Sequence, residues 1–269
     1  WGYGLNLDWQ AFHREEQPKR MRLPTYPFAR DRYWVEIPEF MPATTNNTQV
    51  LHPFLHSNIS DLGQQVYKTH FSGQEFFLAD HQVDIQGKGK KKVFPGVAYL
   101  EMAYVAVAQA LPENLKGTGI GLRNIVWSKP VVLGQESLSK IGQEGVELTI
   151  SLTANNSDSI DFVIVTGHDD ESAIHCQGQA YLHTPEVSSK LDLNELRSQM
   201  TLDKILPNEL YQEFEQMGIY YGESFKNVSE ILVGEKQLLA TIKLPAGKGN
   251  SQFYMHPGFM DSALQAALV

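Results

Sequence analysis

The chain has 269 residues, 42% of them hydrophobic and 20% charged, with a formal net charge of −9 at pH 7. That length holds one large domain or two small ones, and the acidic balance argues against a general nucleic-acid binder, which needs an extended basic face to displace counterions from phosphates. The only cysteine, Cys176, excludes a disulfide framework and a thiolate metal site within one chain, and no apolar run approaches the ~18 residues of a membrane span.

The chain opens at Trp1 with no basic region and apolar core behind it, which is not the pattern of a signal peptide. The start without Met suggests a piece of a longer polypeptide, and a reducing cytoplasm fits its cysteine content. Residues 1–40 read as a connector, with prolines at 18, 24, 27 and 38 and an apolar stretch over 23–34. Residues 42–49 are polar and turn-rich, so the main boundary is placed there. Gln65–Phe71 alternates like a strand, and the apolar run from Glu75 reads as a second strand ending at His81. Gly96–Leu111 is small and apolar on most of its surface, which predicts a buried helix ended by Pro112. Strands are expected over 120–127, 129–133, 146–154, 160–167 and 173–183, with turns at Gly134, Asn155-Asn156 and Asp169-Asp170. One helix followed by about five strands predicts a sheet curled around a central helix, an α+β arrangement. A polar linker over 185–190 leads to short helices over 191–200 and 207–217. A Gly- and Tyr-rich loop over 218–225 and strands over 229–233 and 237–244 follow. Met260–Val269 reads as a second buried helix, introduced by His-Pro-Gly as the first is by Phe-Pro-Gly.

Three places carry chemistry. His81 is either a structural histidine at a strand end or a general base, the role histidine fills near neutral pH. Asp261 is either an N-terminal carboxylate held by the helix dipole or a carboxylic acid kept protonated by an apolar pocket. Gln265, four residues on, shares its helix face, and two polar groups on a buried face need partners or a ligand. Tyr221-Gly222 is either a turn with a packing tyrosine or a phenolic hydroxyl beside closely approaching backbone. His52 and His56 come nearest to metal-ligand spacing, but Pro53 and the lack of nearby acidic partners argue against a metal site.

The stretches Leu51-His52-Pro53-Phe54-Leu55, Asp80-His81 leading to Phe94-Pro95-Gly96-Val97-Ala98-Tyr99-Leu100-Glu101-Met102-Ala103, Tyr221-Gly222-x-x-Phe225 and His256-Pro257-x-x-Met260-Asp261-Ser262-Ala263-Leu264-Gln265 together resemble the dehydratase domains of modular polyketide synthases. The resemblance implies a double hotdog, two curved antiparallel sheets each around a central helix. It places a post-ketosynthase-type linker and hinge at 1–48 and the N-terminal hotdog at 49–188. A linker and the start of a C-terminal hotdog, incomplete as given, fall at 189–269. It implies dehydration of a β-hydroxyacyl thioester to an α,β-enoyl thioester, with His81 removing the α-proton and Asp261 protonating the leaving hydroxyl. Tyr221, Gly222 and Gln265 would orient the substrate, and the backbone near Pro95 and Gly96 would polarise its carbonyl. No cofactor or metal is expected on the domain itself; the substrate would arrive on the phosphopantetheine arm of an acyl carrier protein. Ketosynthase and ketoreductase domains would be neighbours, and a homodimer is compatible with the class.

The chain departs from the family pattern in places. Pro95 lies fourteen positions after His81, several more than the family spacing, which reads as an enlarged hairpin tip over 84–92. Glu223 stands where the family usually has proline. The lysines in this excursion, Lys88, Lys90, Lys91 and Lys92, are either a solvated hairpin tip or a patch that steers an acidic carrier protein. An enoyl isomerase, a pyran-forming cyclase and a non-catalytic carrier-binding module are the alternatives; the presence of both Asp261 and Gln265 favours dehydration.

Overall fold

The computed structural model describes residues 4, 6–15, 19, 21–23, 50–85, 87–133, 145–155, 159–167, 172–184, 190–244 and 252–268. The expected linker over 23–34 (beyond its first residue), the hinge at 42–49, the turns at Gly134, Asn156 and Asp169-Asp170, and the linker at 185–189 lie outside them. Backbone proximity divides the chain into Trp1–Thr48 and Gln49–Val269. In the first unit, α1 (Trp9–Phe12) is a single turn whose first N–H groups, on Gln10 and Ala11, are capped by Asp8 Oδ1.

The second unit is built around two helices. The longer, α3 (Gly96–Ala110), is apolar nearly all round and buries Val97, Ala98, Tyr99, Met102, Ala103, Val105, Ala106 and Val107. A helix with no polar face must be enclosed. A six-stranded antiparallel sheet does this: β1 (Ser57–Asn58), β2 (Gln65–Phe71), β5 (Gly119–Trp127), β6 (Val146–Asn155), β7 (Ser159–Thr166) and β8 (Ala173–His183) run in the order β1-β2-β6-β7-β8-β5. Strand β6 shows the cause. Val146, Leu148, Ile150 and Leu152 alternate inward, while the residues between them remain partly exposed. The aromatic end of this core joins Phe54 to Phe77, with ring centroids 4.5 Å apart, and Phe71 to Phe94 at 5.2 Å. Each such side chain contributes about 1.5–3 kcal/mol by burial; Met102→Ala would cost about 2–5 kcal/mol.

The second half repeats the scheme on a smaller scale. Helix α6 (Pro257–Ala267) packs against β11 (Val228–Gly234) and β12 (Gln237–Ile242), in a sheet ordered β12-β11-β9 with β9 (Asp203–Ile205). Helix α5 (Pro207–Gln216) supplies Leu210, Tyr211 and Phe214 to a second core with Val228, Ile231 and Ala266. Helices α3 and α6 pack against each other, so the two halves share one seam. The architecture is the expected double hotdog of α+β class. Helix α4 (Leu193–Ser198) is capped by Asp192.

Several expectations change. The apolar run before His81 is a short helix, α2 (Phe76–Ala79), not a strand. Glu75 folds back to accept from Ser72 N, Gly73 N and Ser72 Oγ, and this tight turn starts the helix. Residues 129–133 make one bridge, Val93 with Val132; Pro130 has no N–H to extend a ladder. The loop expected at 218–225 contains a strand, β10 (Ile219–Tyr221), and a 3-10 turn, Glu223–Phe225. Strands β3 (His81–Asp84) and β4 (Lys90–Lys92) complete a third small sheet in the order β10-β3-β4. Helix α6 starts three residues earlier than expected, with Pro257 in its first turn.

Candidate active site

The small β10-β3-β4 sheet carries the first half of the site. Its register sets His81 opposite Tyr221. His81 Nδ1 lies 2.9 Å from Val93 O. A carbonyl only accepts, so Nδ1 carries a proton, and in the neutral ring Nε2 is the atom left with a lone pair. The Val93 N–H donates to His81 O at 3.1 Å, which locks the two residues together from both sides. The extra residues between His81 and Pro95 are absorbed at the tip instead: β3 and β4 pair through Asp84 with Lys90, and Gly87 and Gly89 take positive φ of 70° and 89° to turn the chain. The enlarged hairpin thus leaves His81 at the base of the ladder, where its ring packs on Tyr221 and Phe225, centroids 5.7 and 5.5 Å away.

Helix α6 carries the second half. Asp261 is 7% exposed and Gln265 1%. Gln265 Nε2 donates to Asp261 Oδ2 at 2.8 Å and to Phe225 O at 3.2 Å, while its Oε1 is buried with no partner at hydrogen-bond distance. Phe225 therefore joins the halves, its ring against His81 and its carbonyl on Gln265. Asp261 lies beyond the first turn of α6, so capping the helix dipole is not its role. Burial raises the Asp261 pKa; a positive charge on His81 when its ring is protonated, the Gln265 hydrogen bond and the neighbouring Tyr221 hydroxyl partly oppose this. The Tyr221 hydroxyl is pushed up too, chiefly by burial and then by the Asp261 charge, with Gln265 also close enough to act on it. Tyr211, raised to about 12 mainly by burial, receives the Val228 N–H on its hydroxyl at 3.2 Å.

Pro95 and Gly96 form the start of α3; Ala98 N–H donates to Pro95 O at 3.0 Å, which leaves the N–H groups of Gly96 and Val97 without a partner in the helix, and the indole of Trp127 holds Gly96 O at 2.9 Å. The four lysines separate. Lys88 and Lys91 are exposed, Lys90 Nζ sits 3.6 Å over the Tyr220 ring, and Lys92 Nζ donates to Gly73 O at 2.7 Å. His52 is not a ligand. Its Nδ1 accepts from Phe54 N at 3.1 Å, so the proton is on Nε2, which reaches Gln252 O at 2.7 Å and the buried Glu101 at 3.3 Å. Among the described residues, no cluster of three or more His, Cys, Asp or Glu could hold a metal ion. A cavity of about 800 Å³ at the C-terminal end of α3, lined by Tyr104, Thr118 and Tyr254 among others, includes none of the predicted site residues.

Sequence reasoning missed the work of Asp80, Phe225 and Glu101. Asp80 Oδ2 accepts from Ser224 N at 3.0 Å and Ser224 Oγ at 2.6 Å. Glu101 accepts from Tyr254 N at 2.9 Å and Met255 N at 2.6 Å. The available signal for Glu101 was an acidic residue inside an apolar helix. Asp80 and Phe225 stood within the quoted motifs without a role.

A histidine on one hotdog and a buried carboxyl with a raised pKa on the other are thus brought within electrostatic reach of each other, the pairing of groups that elimination next to a carbonyl would use. The chain belongs to the dehydratase domains of polyketide synthases: the family described as polyketide synthase dehydratase domain matches residues 52–167, and that described as polyketide synthase dehydratase N-terminal domain matches 190–269. It is 37% identical over 275 residues to polyketide synthase PksM and 36% identical over 283 residues to PksN, both of Bacillus subtilis (strain 168). Each alignment covers 100% of this chain but only 6% and 5% of those proteins. A trans-AT polyketide synthase dehydratase domain from Brevibacillus brevis is similar at TM-score 0.71 and 37% identity, over 81% of this chain and 74% of that one. The dehydratase domain of RzxB from Pseudomonas fluorescens is similar at TM-score 0.67 and 28% identity, again over 81% and 74%.

Proposed function

We propose that this chain removes water from a β-hydroxyacyl thioester, with His81 as base and Asp261 as acid. The observation that supports the reading is the placement of the two groups: Val93 O takes up His81 Nδ1 and so leaves Nε2 as the ring atom available to a substrate, while burial raises the pKa of Asp261 beside it. His81 Nε2 takes the α-proton, the C–H electron pair forms the α,β double bond, the β-carbon–oxygen bond breaks, and Asp261 transfers its proton to the departing hydroxyl. Water and the enoyl thioester leave. Passing the proton from His81 back to the Asp261 carboxylate restores the starting state. Gln265 Oε1 is free to accept a hydrogen bond from the β-hydroxyl, Tyr221 orients the same hydroxyl with Gly222 beside it, and the Gly96 and Val97 N–H groups after Pro95 stabilise the carbonyl as negative charge develops on it.

The substrate arrives on the phosphopantetheine arm of an acyl carrier protein, and no cofactor belongs to the domain. Lys88, Lys90 and Lys91 supply a local positive field to an acidic carrier on an otherwise acidic chain; Lys92 is partly committed to Gly73 O. Residues 1–48 act as the linker after a ketosynthase, a ketoreductase is a further neighbour, and two copies pair as a homodimer in the cytoplasm. Among the described residues, no helix is long and apolar enough to cross a membrane. Isomerase, cyclase and non-catalytic readings gain no support from the similar proteins. The test is incubation of the intact protein with a β-hydroxyacyl carrier protein and, separately, with a preformed enoyl carrier protein. Conjugated enoyl product from the first supports the reading; double-bond migration in the second, without product from the first, overturns it.

A further inference from the structure

We propose that Asp80 is a positioning residue, whose carboxylate clamps the turn after Tyr221 to the base of the His81 strand and so holds Tyr221 beside Asp261. The proposal rests on the assignment of Tyr221 to the reacting site. Asp80 immediately precedes His81, and three bonds tie it to the facing segment. Its Oδ2 accepts from Ser224 N at 3.0 Å and Ser224 Oγ at 2.6 Å, and its backbone O accepts from Gly222 N at 2.8 Å. The ladder between His81 and Tyr221 is only three residues long on the β10 side, too short to fix its own register firmly.

The sequence around the clamp is shaped to it. Gly222 has φ −89°, a value any residue adopts, so glycine is there for space: a Cβ would overlap the Asp80 carboxylate and lie 2.7 Å from Asp80 Cβ. The far side of the turn is stapled to the acid's helix. Asn227 Nδ2 donates to Ser224 O at 2.8 Å and Gly258 O at 3.0 Å, and Ser262 Oγ donates to Phe225 O at 3.1 Å. Asp80 therefore closes a continuous path from the strand that carries the base, through residues 222–227, to the helix that carries the acid. Nothing in this path requires Asp80 to touch substrate.

The test is a double-mutant cycle in the intact protein, using steady-state dehydration of a β-hydroxyacyl carrier protein, with kcat, KM and thermal midpoint recorded for Asp80→Ala, Tyr221→Phe and the pair. Misplacement of a reacting group costs about 10- to 100-fold, so Asp80→Ala is expected to lower kcat by that factor with KM changed less than about threefold. With Tyr221→Phe already present, Asp80→Ala should cost less than about threefold more, because the group it positions is gone. If Asp80→Ala does not fold, Ser224→Ala replaces it in the cycle, since it removes only the 2.6 Å bond and leaves Asp80 its backbone donor. A silent Tyr221→Phe would overturn the assignment of Tyr221 and the clamp with it. A slow Tyr221→Phe beside an unchanged kcat in the clamp variant, or losses that multiply in the pair, would overturn the clamp alone.

Discussion

Gln265 stands one helical turn beyond Asp261 and donates its Nε2–H to Asp261 Oδ2 at 2.8 Å. The bond favours the carboxylate, whereas burial favours the acid, and burial is the larger of the two. Gln265→Leu removes the bond while keeping the volume, so the Asp261 pKa should rise further. An acid that must be protonated loses activity as pH rises through its pKa. The alkaline limb of the kcat–pH profile is therefore expected to move to higher pH in Gln265→Leu, with kcat lowered about tenfold through lost orientation. A limb that stays in place or moves down would contradict this account of Asp261.

Glu101 is fully buried and joins α3 to the segment that leads into α6. It accepts the Tyr254 and Met255 N–H groups and the His52 Nε2–H. Glu101→Gln turns one acceptor into a donor facing donors. Since hydrogen bonds to charged groups contribute about 1.5–3 kcal/mol, a loss of about 2–4 kcal/mol is expected, read as a lower denaturant midpoint with an unchanged slope.

Acid should destabilise the fold from a defined point. His56, His175 and His256 all have pKa values lowered from 6.5, in each case chiefly by burial. The unfolded chain takes up protons there that the folded chain refuses. Their contribution is fully present above about pH 6.5 and drains as pH falls below it. Asp261 acts in the opposite sense: its folded pKa is raised from 3.8, so its cost grows as pH rises above that value. Three groups oppose one, and the thermal midpoint is expected to fall between pH 7 and pH 5. His175→Gln should flatten part of that slope, because His175 Nδ1 bonds Lys129 O and Nε2 bonds Thr166 Oγ1 inside the core.

Removing the positive tip should weaken carrier recognition without touching chemistry. Lys88→Ala, Lys90→Ala and Lys91→Ala together are expected to raise KM for a carrier-bound substrate about fivefold at low salt. The difference should shrink as salt screens exposed charge, with kcat unchanged. Equal KM values at all salt concentrations would reduce these lysines to a solvated turn.

The two buried helices and the four long strands of the first half were legible because their patterns are local: an apolar run with a breaking proline, or strict alternation from Val146 to Leu152. His81, Asp261 and Gln265 could be singled out because they fall in short motifs, and the structure brings them to one place. Other parts carry no period. Phe76–Ala79 looks like a strand in composition and is helical because Glu75 closes a turn on Ser72 and Gly73. Ile219–Tyr221 becomes a strand only because β3 lies opposite. Asp80 meets Ser224 across 144 residues and Glu101 meets Tyr254 across 153, distances over which a single sequence records nothing of pairing.

The division of labour between base and acid is tested most directly by intact-mass measurement of a β-hydroxyacyl carrier protein after incubation with the intact protein and with its His81→Ala and Asp261→Asn variants. A loss of about 18 Da with the unmodified protein, slowed at least about 100-fold in each variant, is the result this account predicts. Water loss at the unmodified rate in either variant would contradict it.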